Sequence, residues 1–322
     1  MTQWLYRRLL KEDSKIKPDF SLLGTINWLN ALSFLCSEGF SDQEIATFYQ
    51  DKVIRRKINR KADTLAFEQM LMGFHELSAL QQMSQREGNP YDLIRSAIVS
   101  WYYGIYYAGS AMIAAKDGTH QEDHAGTAKV WNTHISKEGY ALLPFSLGVT
   151  TLVKSAYVDE IFNLRPGTER TLYEPVQNRE QALEACLSYL KGTADWSRKK
   201  KETEIKRKEK LSDFKKKSAQ QIRDRSLQKQ SVGFLHQAFR YRGKAHYRDA
   251  IYLSYGNNQE QQVYELGHNL YVTLSGFVRM ASHYCSKRVE KDSWAQFVED
   301  VSTSSLLSHD VDVIRASGSA NR

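Results

Sequence analysis

Arg240, Arg242 and His246 lie within seven residues of one another in the segment FLHQAFRYRGKAHYRDAIY, residues 234–252. Their side chains suit work on phosphate esters. A guanidinium offers a fixed positive charge that binds two phosphate oxygens at once. An imidazole titrates near neutrality and can take up or release a proton. On a regular helix Arg242 and His246, four apart, share a face, whereas Arg240 lies about 120° from His246. Taken alone, an Arg and a His on an amphipathic helix are ordinary surface groups, and the pattern gains weight only from its surroundings. Two further groupings invite chemistry. His120, His124 and His134, with Asp123, have the ligand types of a metal site but no metallo-motif spacing, so loop and helix-surface roles are expected and no metal is assigned. Tyr102, Tyr103, Tyr106 and Tyr107 could stack on bases, but two tyrosine pairs on one helix point several ways, and core packing accounts for most of them.

The elements that must position these residues read as helices throughout. The chain has only five prolines in 322 residues, and its apolar positions recur at three- and four-residue spacing. Ser41-Asp-Gln-Glu44 is a capping box opening a helix through Tyr49. A helix is expected over 63–86, ended by Gly88-Asn-Pro90. The strongest runs from Tyr91 to Lys116, with Ile94, Ile98, Trp101, Ile105, Ala108, Met112 and Ala115 in one stripe. Gly104, Ala108, Gly109 and Ala111 would admit a close neighbouring helix. A short helix follows over 127–135, Asn178 caps another over 179–190, and a long helix is expected from Asp195 to about Lys229. Helical patterns over 234–255 and from Val263 to Tyr284 complete the set, with a turn at Gly256–Asn258 between them. The Ser-rich tail after Ser302 is expected to be partly mobile.

Three stretches together resemble the HEPN superfamily of helical bundles. Ala97–Ala115, AIVSWYYGIYYAGSAMIAA, is similar to the family's small-and-aromatic helix; His124-Ala-Gly126, Trp131 and Gly139…Pro144 resemble the loop and short helix after it. Arg242-Gly-Lys-Ala-His246-Tyr247 is similar to the helix that carries the family's Arg…His motif. The resemblance implies an all-α, up-and-down bundle with its core in 89–162 and 232–290. Residues 1–88 would be an N-terminal helical extension, 163–231 an insertion with a long basic helix, and 291–322 a tail. It further implies a metal-independent endoribonuclease without cofactor, a toxin or antiviral effector acting as a homodimer, with an antitoxin or defence-system partner. His246, Arg240 and Arg242, in that order, would be the catalytic residues: His246 moving protons as the 2′-OH attacks, an arginine holding the phosphate. Arg240 has the family's spacing to His246, but Tyr241 and Gly243 stand where a polar residue often follows the Arg. The alternative within the family is a non-catalytic RNA- or protein-binding subunit.

Charge is distributed in the same divided way. The chain carries +8, yet Arg198–Lys229 holds 14 basic against five acidic residues, leaving the rest close to neutral. Lys199, Lys200, Lys201, Lys206, Arg207, Lys208, Lys215, Lys216 and Lys217 are the expected nucleic-acid contacts there, with Lys244 and Arg248 beside the Arg/His motif. Because positives recur all round the helix, a broad electrostatic clamp is expected rather than a sequence reader. A smaller cluster, Arg55–Lys61, follows Gly39-Phe-Ser-Asp-Gln-Glu-Ile45-Ala46, which has the look of a helix-turn-helix opening, so a DNA-binding role is a further alternative. Composition excludes wholesale disorder, and three widely spaced cysteines exclude a disulfide framework. No stretch is apolar and long enough to span a bilayer, and a cytoplasmic protein is expected.

Overall fold

Side chains that cap backbone groups set where the helices begin. Ser41 Oγ accepts from the Glu44 N–H at 3.3 Å while Glu44 Oε2 accepts from the Ser41 N–H at 3.0 Å, the reciprocal pair foreseen from the sequence. Asp123 Oδ1 accepts from the N–H groups of Ala125 and Gly126, and Asn178 Oδ1 from that of Gln181. The computed structural model describes residues 4, 8, 18–85, 91–167, 175–244 and 260–307. Over these it is all-α. The helices are α1 (Pro18–Gly39), α2 (Asp42–Gln50), α3 (Arg60–Gln85), α4 (Tyr91–Asp117), α5 (His124–Trp131) and α6 (Lys154–Leu164). They continue with α7 (Arg179–Lys208), α8 (Lys217–Gln228), α9 (Phe234–Lys244), α10 (Glu260–Arg288) and α11 (Lys291–Thr303). A π-helical turn, Asn132–Ser136, extends α5, and Val149 pairs with Val232 in one antiparallel bridge.

The stripe expected on α4 is buried in full, and α3, α10, α9 and α5 all pack on this helix. Its small residues let them in. A Cβ on Gly104 would lie 2.6 Å from Leu274 of α10, and one on Gly109 would lie 3.0 Å from Leu235 of α9. The apolar face of α10, Leu266 through Tyr284, is likewise buried. Helices α1 and α3, from the first 88 residues, contribute to the same core as α4 and α10: Trp28, Met70 and Leu77 belong to one hydrophobic cluster with Trp101 and Phe277. Nor does residue 163 begin a separate body. The first half of α7 packs on α1, and Tyr189 stacks flat on Trp28 with ring centroids 3.9 Å apart.

Two expectations are corrected. The helix capped by Asn178 does not stop near Leu190; it runs on for 30 residues, about 45 Å, carrying the first part of the basic run straight out of the core. The basic run itself is not one helix. It breaks after Glu209, where Lys210 takes a left-handed φ of 51° and Asp213 Oδ1 turns back onto the Lys215 N–H, before α8 begins. Good helix formers on both sides conceal this break, since propensity tolerates it without demanding it.

Candidate functional site

Helix α9 carries the candidate arginines between three neighbours, α4, α5 and α7. Phe234, Leu235, Ala238 and Tyr241 make its buried face. Tyr241 meets Trp28 and Trp101 edge-on, at 5.7 and 5.5 Å between centroids. This explains why an aromatic follows Arg240: the position points into the core, where a polar side chain would need a partner. The arginines on either side are thereby sent apart. Arg240 Nη1 donates to Thr193 Oγ1 at 3.0 Å, and its guanidinium lies 5.4 Å over the Tyr189 ring, both on α7. Arg242 turns the other way, with its guanidinium 5.1 Å from the Tyr102 ring and 5.4 Å from that of Tyr103.

Around Arg242 the α4 tyrosines close on a histidine. The His124 ring lies 5.4, 5.7 and 4.6 Å from the rings of Tyr102, Tyr103 and Tyr106, edge to face, and 6.0 Å from Phe239. His124 begins α5, and the Asp123 cap fixes where it stands. Its Nδ1 is sealed from water and has no hydrogen-bond partner among the described residues. Burial, and then the positive charge of Arg242, hold its pKa below the usual histidine range, so the ring is neutral beside the guanidinium. Burial raises the Tyr102 hydroxyl well above its ordinary value, against the opposing pull of Arg242, which also hydrogen-bonds it. One fixed cation, one neutral imidazole and three phenols therefore share a patch where α4, α5 and α9 converge. Searched against family models, curated proteins and solved structures, the chain matches none. The weight rests on this patch.

His246 and Arg248 lie outside the described residues, as does the Lys244 side chain at the end of α9. α9 itself carries a histidine, His236, that its sequence pattern does not single out. Its Nδ1 accepts from the Gly233 N–H at 3.2 Å, and burial pushes its pKa down to about 4. The only sequence signal for it is its place three residues into a helix that opens without a Ser, Thr or Asp cap. The grouping of His124 with Arg242 is likewise not legible in sequence order. Its signals were present separately, in the tyrosine pairs and in His124-Ala-Gly126, but nothing in sequence order joins them.

The three-histidine grouping does not assemble. His134 Nδ1 pairs with Asp117 Oδ2 at 3.2 Å, Asp123 is spent on its cap, and no metal-ligating cluster occurs among the described residues. The expectation that Arg55–Lys61 lines one helix is corrected too. Residues 53–59 are not helical, and two of the cations are committed to the fold. Arg56 is half-buried, bridging Asp63 at 2.5 Å and donating to the Ala115 carbonyl, and Arg55 donates to the Val289 carbonyl. These guanidiniums satisfy carbonyls at the ends of α4 and α10.

The expected nucleic-acid contacts divide by environment. Lys200 lies 5.6 Å over Trp196 and Lys206 5.2 Å over Phe214. Lys199 and Lys215–Lys217 are exposed, while Lys201, Arg207 and Lys208 face the inside of the α7–α8 hairpin. No helix of the described residues is long and apolar enough to cross a membrane.

Proposed function

We propose that the chain is a metal-independent endoribonuclease of the HEPN type. The observation that carries this reading is the seating of Arg242: over Tyr102 and Tyr103, beside a neutral His124, and four residues before His246. RNA brings its own nucleophile. As the 2′-OH attacks the adjacent phosphorus and loses its proton, the P–O5′ bond breaks and the 5′-oxygen takes up a proton. The products are a 2′,3′-cyclic phosphate and a free 5′-hydroxyl. Charge gathers on the non-bridging oxygens, where the Arg242 guanidinium would hold it. His246 would carry protons. Resting on the tyrosine faces, the guanidinium is oriented before substrate arrives, so little is lost in fixing it. Arg240, tied to Thr193 and Tyr189, would hold α9 against α7 rather than touch the phosphate. The basic hairpin would hold the RNA chain. Association as a homodimer, and a toxin or defence role with a partner protein, rest on the resemblance alone.

A non-catalytic RNA-binding subunit is the second reading, favoured by Tyr241 filling the core where nuclease members of that family often keep a polar group beside the Arg. One assay separates the two. Structured RNA is incubated with the protein in EDTA beside Arg242→Ala, Arg240→Ala and His246→Ala. The nuclease reading expects cyclic-phosphate ends, lost with His246→Ala, reduced about 100-fold with Arg242→Ala and retained with Arg240→Ala. RNA bound but uncut by the parent protein under every condition would leave the binding subunit.

A further inference from the structure

The hairpin of α7 and α8 encloses an open cleft of about 760 Å³. Five cations line it: Lys201, Arg207 and Lys208 from α7, with Arg225 and Lys229 from α8 and its end. Two carboxylates, Glu204 and Glu209, share the walls, and Lys201 is bound to Glu204 at 3.0 Å. The other four cations make no ion pair among the described residues. Elsewhere in the hairpin Lys199, Lys210 and Lys215–Lys217 are exposed and also without an ion pair among the described residues, but none of them lines the cleft. Arg198 is paired with Glu202 at 2.8 Å and Arg223 with Asp224 at 2.7 Å, while Lys200 and Lys206 rest on aromatic faces. Compensation of the helix dipoles favours cations near both C-termini, but not their facing a single cleft from two helices. Converging like charges repel one another, and an anion in the cleft relieves that cost.

We propose that this cleft binds the phosphodiester backbone of single-stranded RNA, through charge and without reading bases. Among the described residues no aromatic side chain lines it, so bases find no stacking partner there. An acidic protein segment would bring apolar anchors, and for these the cleft offers only Ile222, since Ile205 is sealed beneath it. Phosphates need the charge alone. Of the cations expected from the sequence to hold nucleic acid, the cleft therefore selects Lys201, Arg207 and Lys208, and adds Arg225 and Lys229. The choice of RNA rests on the proposed function; the location of the binding does not.

The test uses the full chain in EDTA and a labelled single-stranded RNA that is 2′-O-methylated throughout, so that binding is read without cleavage. Anisotropy is followed from 50 to 200 mM salt. One variant removes two of the cleft's positive charges, Arg225→Gln with Lys229→Gln; another, Lys199→Gln with Lys216→Gln, makes the same charge change on exposed positions outside it. All four side chains are exposed, and matched melting curves show that folding is kept. The cleft pair is expected to weaken binding at least tenfold and to make the log–log salt slope shallower by about 1.4. The outside pair is expected to cost less than threefold. Equal losses would mean a diffuse field and overturn the cleft, as would binding that only Arg242→Ala abolishes. Polyglutamate competing as well as RNA would overturn the choice of phosphate. If cleft binding holds while no RNA is ever cut, the nuclease reading fails and this one stands.

Discussion

His236 shows how much a single buried ring can decide. In the folded chain burial pushes its pKa down to about 4, and its Nδ1 accepts the N–H that opens α9. The unfolded chain takes up this proton near pH 6.5, while the folded one refuses it until about pH 4. The stabilising effect of keeping the ring neutral is thus present above pH 6.5 and is lost as pH falls through that window, on the order of 3 kcal/mol. His124 and His283, both held below the usual range chiefly by burial, act with the same sign. Denaturant melts between pH 7 and 4 should therefore show falling stability. In His236→Asn, whose Oδ1 can take the same hydrogen bond, the fall should be shallower but not absent; an unchanged pH slope would contradict the burial of the ring. Nothing in sequence order reveals this. A histidine at the third position of a helix reads alike whether it faces water or the inside of a bundle.

Among the elements, the entry to α9 is the tightest junction on which the candidate site depends. Gly148 and Gly233 let the 149–232 bridge pass close to the π-helical turn, where Asn132 is buried and donates to Ser231 Oγ at 2.9 Å. A Cβ on Gly233 would lie 2.1 Å from Asn132 Oδ1, so Gly233→Ala must displace Asn132 and disturb that bond. The expected cost is about 1–3 kcal/mol of unfolding free energy, read in urea. Because Arg242 hangs from this helix, RNA cleavage should fall as well, even below the melting range. The helix expected over 234–255 is legible as far as Lys244, because its buried positions follow the helical period; residues 245–259 lie outside the described residues. What periodicity left open is which arginine meets which neighbour. Spacing separates Arg240 from Arg242 by angle, but only the packing of α9 between α4 and α7 assigns one to the tyrosines and the other to Thr193.

Over the whole molecule, the expected homodimer is the arrangement that would bring two copies of the Arg242 patch into one cleft. Light scattering at assay concentrations should then return twice the chain mass, and a monomer that still cuts RNA would remove any need for a second chain. The same scale shows what the amino-acid order determined unaided. It dictated a helical chain, the buried stripe of α4, the Ser41–Glu44 capping box, and the confinement of nearly all excess charge to 32 residues, because each depends on neighbours a few positions apart. Tertiary structure alone decided that α7 runs unbroken from the core into the basic run, that this run folds back at Lys210, and that five of its cations face one cleft. It also decided that His124 and Arg242, 118 positions apart, share one patch. Local propensity ranks conformations within a few residues. Contacts between distant helices depend on which faces bury the most apolar surface together, and only the assembled core settles that.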